Sequence, residues 1–219
     1  MSDVENTTSS TPADDEAAAP VRKRPKPGER RVQILQALAT MLEQPGAERI
    51  TTAALAARLE VSEAALYRHF ASKAQMFEGL IEFIEQTVFS LINQIAEREA
   101  GASDAGAGVR HAGKVVTMLV QFAEKNPGMT RVMVGDALVF ENERLQQRMN
   151  QFFDKIESTL KQCLRDGAQV VGSATPSVDV QVAASVLTAF VVGRLQRFAR
   201  SGFRRLPSEH LEASLAQML

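Results

Sequence analysis

Apolar residues recur every three to four positions along most of the chain, and alternating runs are scarce, so the pattern predicts helices throughout. The first is expected from about Glu29 to Gln44, with Val32, Leu35, Ala39 and Leu42 turned inward and Pro45-Gly46 ending it. Two short helices and a tight turn follow between Ile50 and Phe77. Thr51 is placed to cap one of them, whose apolar side is Leu55, Ala56 and Leu59. Glu60-Val61 make the turn, and Ser62 caps the other, where Leu66 and Phe70 are spaced i,i+4 and share a face. Ser72 then caps a long helix from about Lys73 to Glu99. Its stripe is Phe77, Leu80, Ile81, Ile84, Val88, Leu91, Ile92 and Ile95. Phe83 and Phe89 fall off that stripe on opposite sides, where an aromatic either touches a second neighbour or anchors a partner.

A glycine-rich loop, Gly101 to Gly108, leads to a helix at about 109–125. Asn126 is placed as a cap, with Pro127 at the first position of a helix to about Val139. A further helix, about 141–171, carries Leu145, Met149, Phe152, Phe153, Ile156 and Leu160 inward, and Gly172 to Pro176 form a turn. The next helix, about 178–200, is apolar almost all round and must be covered all round. Its natural second cover is the same helix of another subunit, which places Val182, Val186 and Phe190 in a homodimer interface. Pro207-Ser208 open a last helix, to about Met218, that would join this interface.

The result is an all-α chain of about nine helices. A helix-turn-helix domain (29–75) precedes a helical body for dimerisation and partner binding (76–219). Residues 1–21 are polar and acidic, too poor in apolar groups to fold alone, and 22–28 form a basic arm. The 219 residues, 45% hydrophobic, suffice for a sizeable core.

A net charge of −1 conceals a partition. Residues 1–20 hold five acids and no base, 21–75 hold ten bases and five acids, and 76–219 hold fifteen bases and sixteen acids. Positive charge therefore collects on the helix-turn-helix and its arm, which can follow a phosphate backbone or enter a minor groove. Opposite Leu66 and Phe70 on the second short helix lie Ala64, Ala65 and Arg68, flanked by Tyr67 and His69. Such a face suits the major groove of double-stranded DNA: the alanines let the backbone approach, and Arg68 can donate two hydrogen bonds to a guanine. Lys73, in the first turn of the next helix, can meet a phosphate. With the caps that set these helices, the candidate DNA-reading set is Thr51, Ser62, Ala64, Ala65, Tyr67, Arg68, His69 and Lys73.

Nothing in the chain suggests an enzyme. His69, His111 and His210 lie far apart, and the sequence has neither a glycine-rich phosphate loop nor a nucleophile elbow, so no catalytic residue, metal or cofactor is expected. A single cysteine, Cys163, fits a reducing cytoplasm. The start of the chain lacks the pattern of a signal peptide. The uncharged run Val180 to Gly193 falls short of the ~20 residues of a transmembrane helix, so no membrane span is expected.

The run VSEAALYRHFASK (61–73), with Thr51 and Leu55-Ala56, resembles the DNA-binding domain of the TetR family. Its turn usually carries glycine where this chain has Glu60; a positive φ there costs a non-glycine residue on the order of 1 kcal/mol. The body carries a narrower likeness. LIEFIEQ (80–86), the run 122–157 and RFARSGF (197–203) resemble the nucleoid occlusion factors of that family. The likeness implies a cytoplasmic, nucleoid-associated dimer on palindromic chromosomal sites. Such proteins bind the C-terminal tail of the division protein FtsZ and antagonise its ring over the nucleoid. It also implies a tail groove between the fourth and fifth helices, at Phe83, Leu91, Met118, Gln121, Lys125 and Asn126. Phe83 and Asn126 match outright and Lys125 keeps a positive charge, whereas Leu91 and Gln121 stand where the family has Arg and Gly. Two alternatives stay open: a repressor released by a small ligand, which needs a pocket with convergent polar groups, and a helical scaffold without DNA.

Overall fold

The computed structural model describes residues 28–44, 50–101, 104, 106–168 and 175–219. The acidic tail, residues 22–27 of the arm, Pro45-Gly46 and residues 172–174 lie outside the described residues. Among the described residues every regular element is a helix, beginning with α1 (Glu29–Leu42), α2 (Thr52–Arg58), α3 (Glu63–Tyr67), α4 (Lys73–Glu99) and α5 (Ala107–Lys125). After these come α6 (Pro127–Met133), a single 3₁₀ turn (Asp136–Leu138), α7 (Glu143–Ala168), α8 (Pro176–Arg200) and α9 (Leu211–Met218).

Local chemistry sets the boundaries of the head. The hydroxyls of Thr51, Ser62 and Ser72 accept from the backbone N–H groups of Ala54, Ala65 and Gln75, so each of α2, α3 and α4 begins on a side-chain cap. Glu60 adopts φ 53°, so the position that usually carries glycine does take the left-handed conformation. Asn126 departs from expectation: its side chain caps nothing in α6, and its amide donates back to the carbonyl of Phe122 at 2.7 Å. Pro127 still opens that helix. α6 stops at Met133, short of Val139, because Gly135 at φ 83° turns the chain into the 3₁₀ segment.

In α1 the buried positions are Ile34, Leu38, Ala39 and Leu42, whereas Val32 is exposed and Leu35 only partly covered. The inward face is rotated from the expected one because α1 packs against α2, α4 and α6 at once. The α1–α6 crossing is close. A methyl built on Gly128 would stand 1.9 Å from the carbonyl oxygen of Ala39, so only glycine lets α6 lie there. This contact and the α1–α4 packing fasten the head to the body.

The body is built on α7, which packs most extensively on α8 and α5. Its expected stripe is buried, with Phe153 half-covered beside Phe152. α8 is covered on one side only. Val180, Ala184, Leu187, Val191 and Leu195 are in the core, while Val178, Val182 and Val186 are 59%, 56% and 47% exposed. By length and composition the stretch Ser177–Arg200 is apolar enough to cross a membrane, which the count over Val180 to Gly193 alone missed. Its inner face nonetheless packs on α5 and α7 as a core helix does.

Candidate nucleic-acid interface and partner groove

The helix-turn-helix face assembles largely as its spacing predicts. Leu66 and Phe70 are both about 1% exposed, and the bond from Phe70 N to Leu66 O carries the helical register one turn past the end of α3. Arg68 is therefore the C-cap rather than an interior residue, still in right-handed conformation, and His69 lies in the turn beyond. Ala64, Tyr67, Arg68 and His69 are exposed, and Ala65 is half-exposed. A short chain of hydrogen bonds links the two helices on this side. Thr52 donates to the Glu63 carboxylate at 2.6 Å, and Tyr67 donates to Thr52 at 3.5 Å. From behind, Arg31 donates to the carbonyl of His69 at 2.8 Å and covers the Phe70 ring at 4.2 Å. One arginine of α1 thus fixes the turn at the end of α3.

Lys73 opens α4 as expected, and there it meets a partner that the sequence did not announce. Its ammonium lies 2.5 Å from Glu141, whose side chain is only 9% exposed, in the segment joining the 3₁₀ turn to α7. The expected phosphate contact is therefore occupied by a carboxylate of the body. Sixty-eight residues separate the two, and no local signal announces the pair.

The two off-stripe aromatics of α4 divide cleanly. Phe89 meets Phe152 edge-on at 5.8 Å, a second neighbour inside the body. Phe83 is 44% exposed. Leu91 and Met118 are half-buried, Gln121 and Lys125 exposed, and Asn126 half-buried with its amide turned to Phe122. α4 and α5 run antiparallel, tied at their loop end by the Lys114–Glu99 ion pair, which holds the Glu99 carboxyl below its usual range. With that end fixed, Phe83 falls at the same end of the hairpin as Lys125 and Asn126, and Leu91 nearer to Met118 and Gln121. In the loop itself Asp104 accepts twice from Arg110 and once from the Gly106 N–H, and these bonds hold its carboxyl down at about 2. Of the expected dimer residues, Val182 and Val186 are exposed, whereas Phe190 is half-buried beneath the Arg194 guanidinium at 4.4 Å. Among the described residues no group of three His, Cys, Asp or Glu side chains is arranged to hold a metal ion.

Comparison with known proteins agrees with both halves. Residues 34–80 match the bacterial regulatory proteins of the tetR family, and residues 108–219 match the SlmA-like form of the tetracyclin repressor-like C-terminal domain. The nucleoid occlusion factor SlmA of Idiomarina loihiensis is 50% identical over 184 residues, covering 84% of this chain and 90% of that protein. That of Vibrio vulnificus is 52% identical over 188 residues, covering 85% and 92%. Among solved structures, the regulator FadR from Bacillus subtilis, in complex with stearoyl-CoA, superposes with a TM-score of 0.67 at 16% identity, covering 85% of this chain and 96% of that one. PfmR from Thermus thermophilus gives 0.64 at 22% identity, covering 85% and 97%. The structural likenesses carry the fold, and the sequence likenesses carry the branch within it: the chain belongs to the SlmA nucleoid occlusion factors of the TetR family.

Proposed function

We propose that this protein is a cytoplasmic nucleoid occlusion factor. It binds palindromic chromosomal sites as a dimer, and there binds the C-terminal tail of FtsZ to oppose ring assembly over the nucleoid. DNA is read by α3 and the turn after it. Arg68 meets a base edge, Ala64 and Ala65 permit close approach, and Tyr67 and His69 flank them. The half-covered α8 supports the dimer: Val178, Val182 and Val186 leave an apolar stripe that a second copy would bury about a two-fold axis.

The observation that carries the partner reading is Phe83. On a helix whose other off-stripe aromatic is packed inside, this ring stays open to solvent at the end of the α4–α5 hairpin, where the exposed cation Lys125 also lies. An apolar anchor beside a positive charge suits a short tail with hydrophobic and acidic residues. Titration of an FtsZ C-terminal peptide tests it. Phe83→Ala and Lys125→Glu should each abolish peptide binding with DNA affinity and melting temperature nearly unchanged. Wild-type peptide affinity in both variants would remove the groove assignment, and no binding by the wild type would favour a ligand-released repressor.

A further inference from the structure

A cleft of about 310 Å³ opens between the C-terminal end of α8 and the start of α9. Its floor is Arg194. That guanidinium donates to the carbonyls of Pro207 at 2.9 Å and Glu209 at 2.6 Å and to the hydroxyl of Ser214 at 2.8 Å, and it stacks on Phe190. These acceptors are neutral oxygens, so the position of the arginine is fixed while its charge is not compensated. Its Nε is buried and has no acceptor among the described residues, and three of its other N–H groups are spent on protein oxygens, so what it offers the cleft is chiefly its charge. Burial, and then the charge of Arg197, push Arg194 below the usual arginine pKa, as crowding of like charges should.

Arg197 and Arg205 line the same cleft, and among the described residues neither guanidinium has a hydrogen bond or ion pair. The one acid on the lining is Glu209, 3.8 Å from the Nε2 of His210. Three guanidinium charges against one carboxylate leave about two uncompensated, in a recess with Leu206 and Pro207 as an apolar wall. Arginine forks match the oxygens of phosphate with paired hydrogen bonds, and those of Arg197 and Arg205 are uncommitted among the described residues, beside the fixed charge of Arg194.

We propose that this cleft binds a small phosphate compound carrying at least two negative charges, with Arg194 as its fixed floor and Arg197 and Arg205 closing on it. The site is separate from the α3 face and the α4–α5 hairpin but adjoins the proposed dimer face, because Arg194 stacks on Phe190 and the start of α9 lines the cleft, so it rests on that interface leaving Arg197 and Arg205 open.

The test is calorimetric titration of the full chain with inorganic pyrophosphate, and in a second arm with a nucleoside diphosphate, at constant ionic strength. Replacing Arg194 would cut the bonds to α9 and risk the fold, so the variant is Arg197→Ala with Arg205→Ala, whose guanidinium groups have no partner among the described residues. Saturable binding of one ligand per chain is expected, weakened at least tenfold in the double variant with its melting temperature unchanged. Tighter binding of the nucleotide identifies a nucleotide site, and equal or weaker binding a site for the phosphate groups alone. No saturable heat with wild type, as when a carboxylate of a second copy fills the cleft, overturns the proposal. Equal affinity in the double variant, as for binding at the basic head, does so too.

Discussion

Arg68 and Lys73 lie five residues apart, and they should respond to substitution in different ways. Arg68 projects from the C-cap of α3 with no partner among the described residues, so Arg68→Ala should cost about 1–3 kcal/mol on a matched site and relax base preference. Lys73 has a competitor. To reach a phosphate it must leave Glu141, so the ion pair at 2.5 Å is lost whenever the contact forms. Glu141→Gln should therefore raise affinity for all sequences alike. Lys73→Ala should lower it alike and reduce the salt slope by about 0.9, the value of one phosphate. Fluorescence anisotropy on matched and scrambled duplexes across a salt series reads all three. A Glu141→Gln variant with unchanged affinity for both duplexes would show that the pair does not compete with DNA.

At the scale of elements, two interfaces are open to test. Where α6 crosses α1, a methyl on Gly128 meets backbone, which cannot rotate away as a side chain can. Gly128→Ala should destabilise the chain by roughly 1–3 kcal/mol or more, read by urea denaturation. A stability equal to wild type would mean that the helices part freely at this crossing. On α8, Val186 is almost half-exposed, so Val186→Asp leaves the single chain able to fold and acts on the contact between copies. An unpaired carboxylate buried there costs on the order of 3 kcal/mol or more. Sedimentation should then find a folded monomer, and a wild-type dimer would rule out this face. Phe190 is a poorer probe than its place on the helix suggests, because it already packs beneath Arg194 within its own chain.

For the whole molecule, the described structure joins a helix-turn-helix head to a body that carries the remaining chemistry. The joint is made of α1 against α6, α1 against α4, and Lys73 against Glu141. Since α4 runs from the head into the hairpin that bears Phe83, any influence of DNA on the proposed tail binding must be matched by an equal influence of the tail on DNA affinity. The α4–α5 connection gives the molecule an acid-sensitive point. The Asp104 carboxyl lies at about 2 in the folded chain, lowered from 3.8 by Arg110 and the Gly106 N–H. A lowered carboxyl pKa stabilises the fold above the unfolded value, and that contribution disappears as pH falls from 3.8 through about 2. Asp104→Asn should remove this part of the acid dependence and leave the profile at neutral pH with the same slope. Denaturation curves at a series of pH values between 2 and 7 would show the difference.

The sequence by itself determined what local chemistry controls. The three hydroxyl caps, the strain at Glu60, the extent of α4 and the pairing of Leu66 with Phe70 each depend on residues within a few positions of one another. Spacing alone therefore exposed them. The exposed face of α3 was legible for the same reason, since it is the side of one short helix that its own core leaves free. Tertiary structure decided whatever depends on a neighbour distant in the chain. Which off-stripe phenylalanine of α4 is packed follows from where Phe152 of α7 lies. The rotation of α1 follows from its three partners, and the need for glycine at 128 from the carbonyl of Ala39. Lys73 was placed correctly at a helix start, yet its partner is set by the packing of the body, which brings in a carboxylate sixty-eight residues away. Periodicity shows that a face is apolar; only the folded neighbours show which part of it remains uncovered.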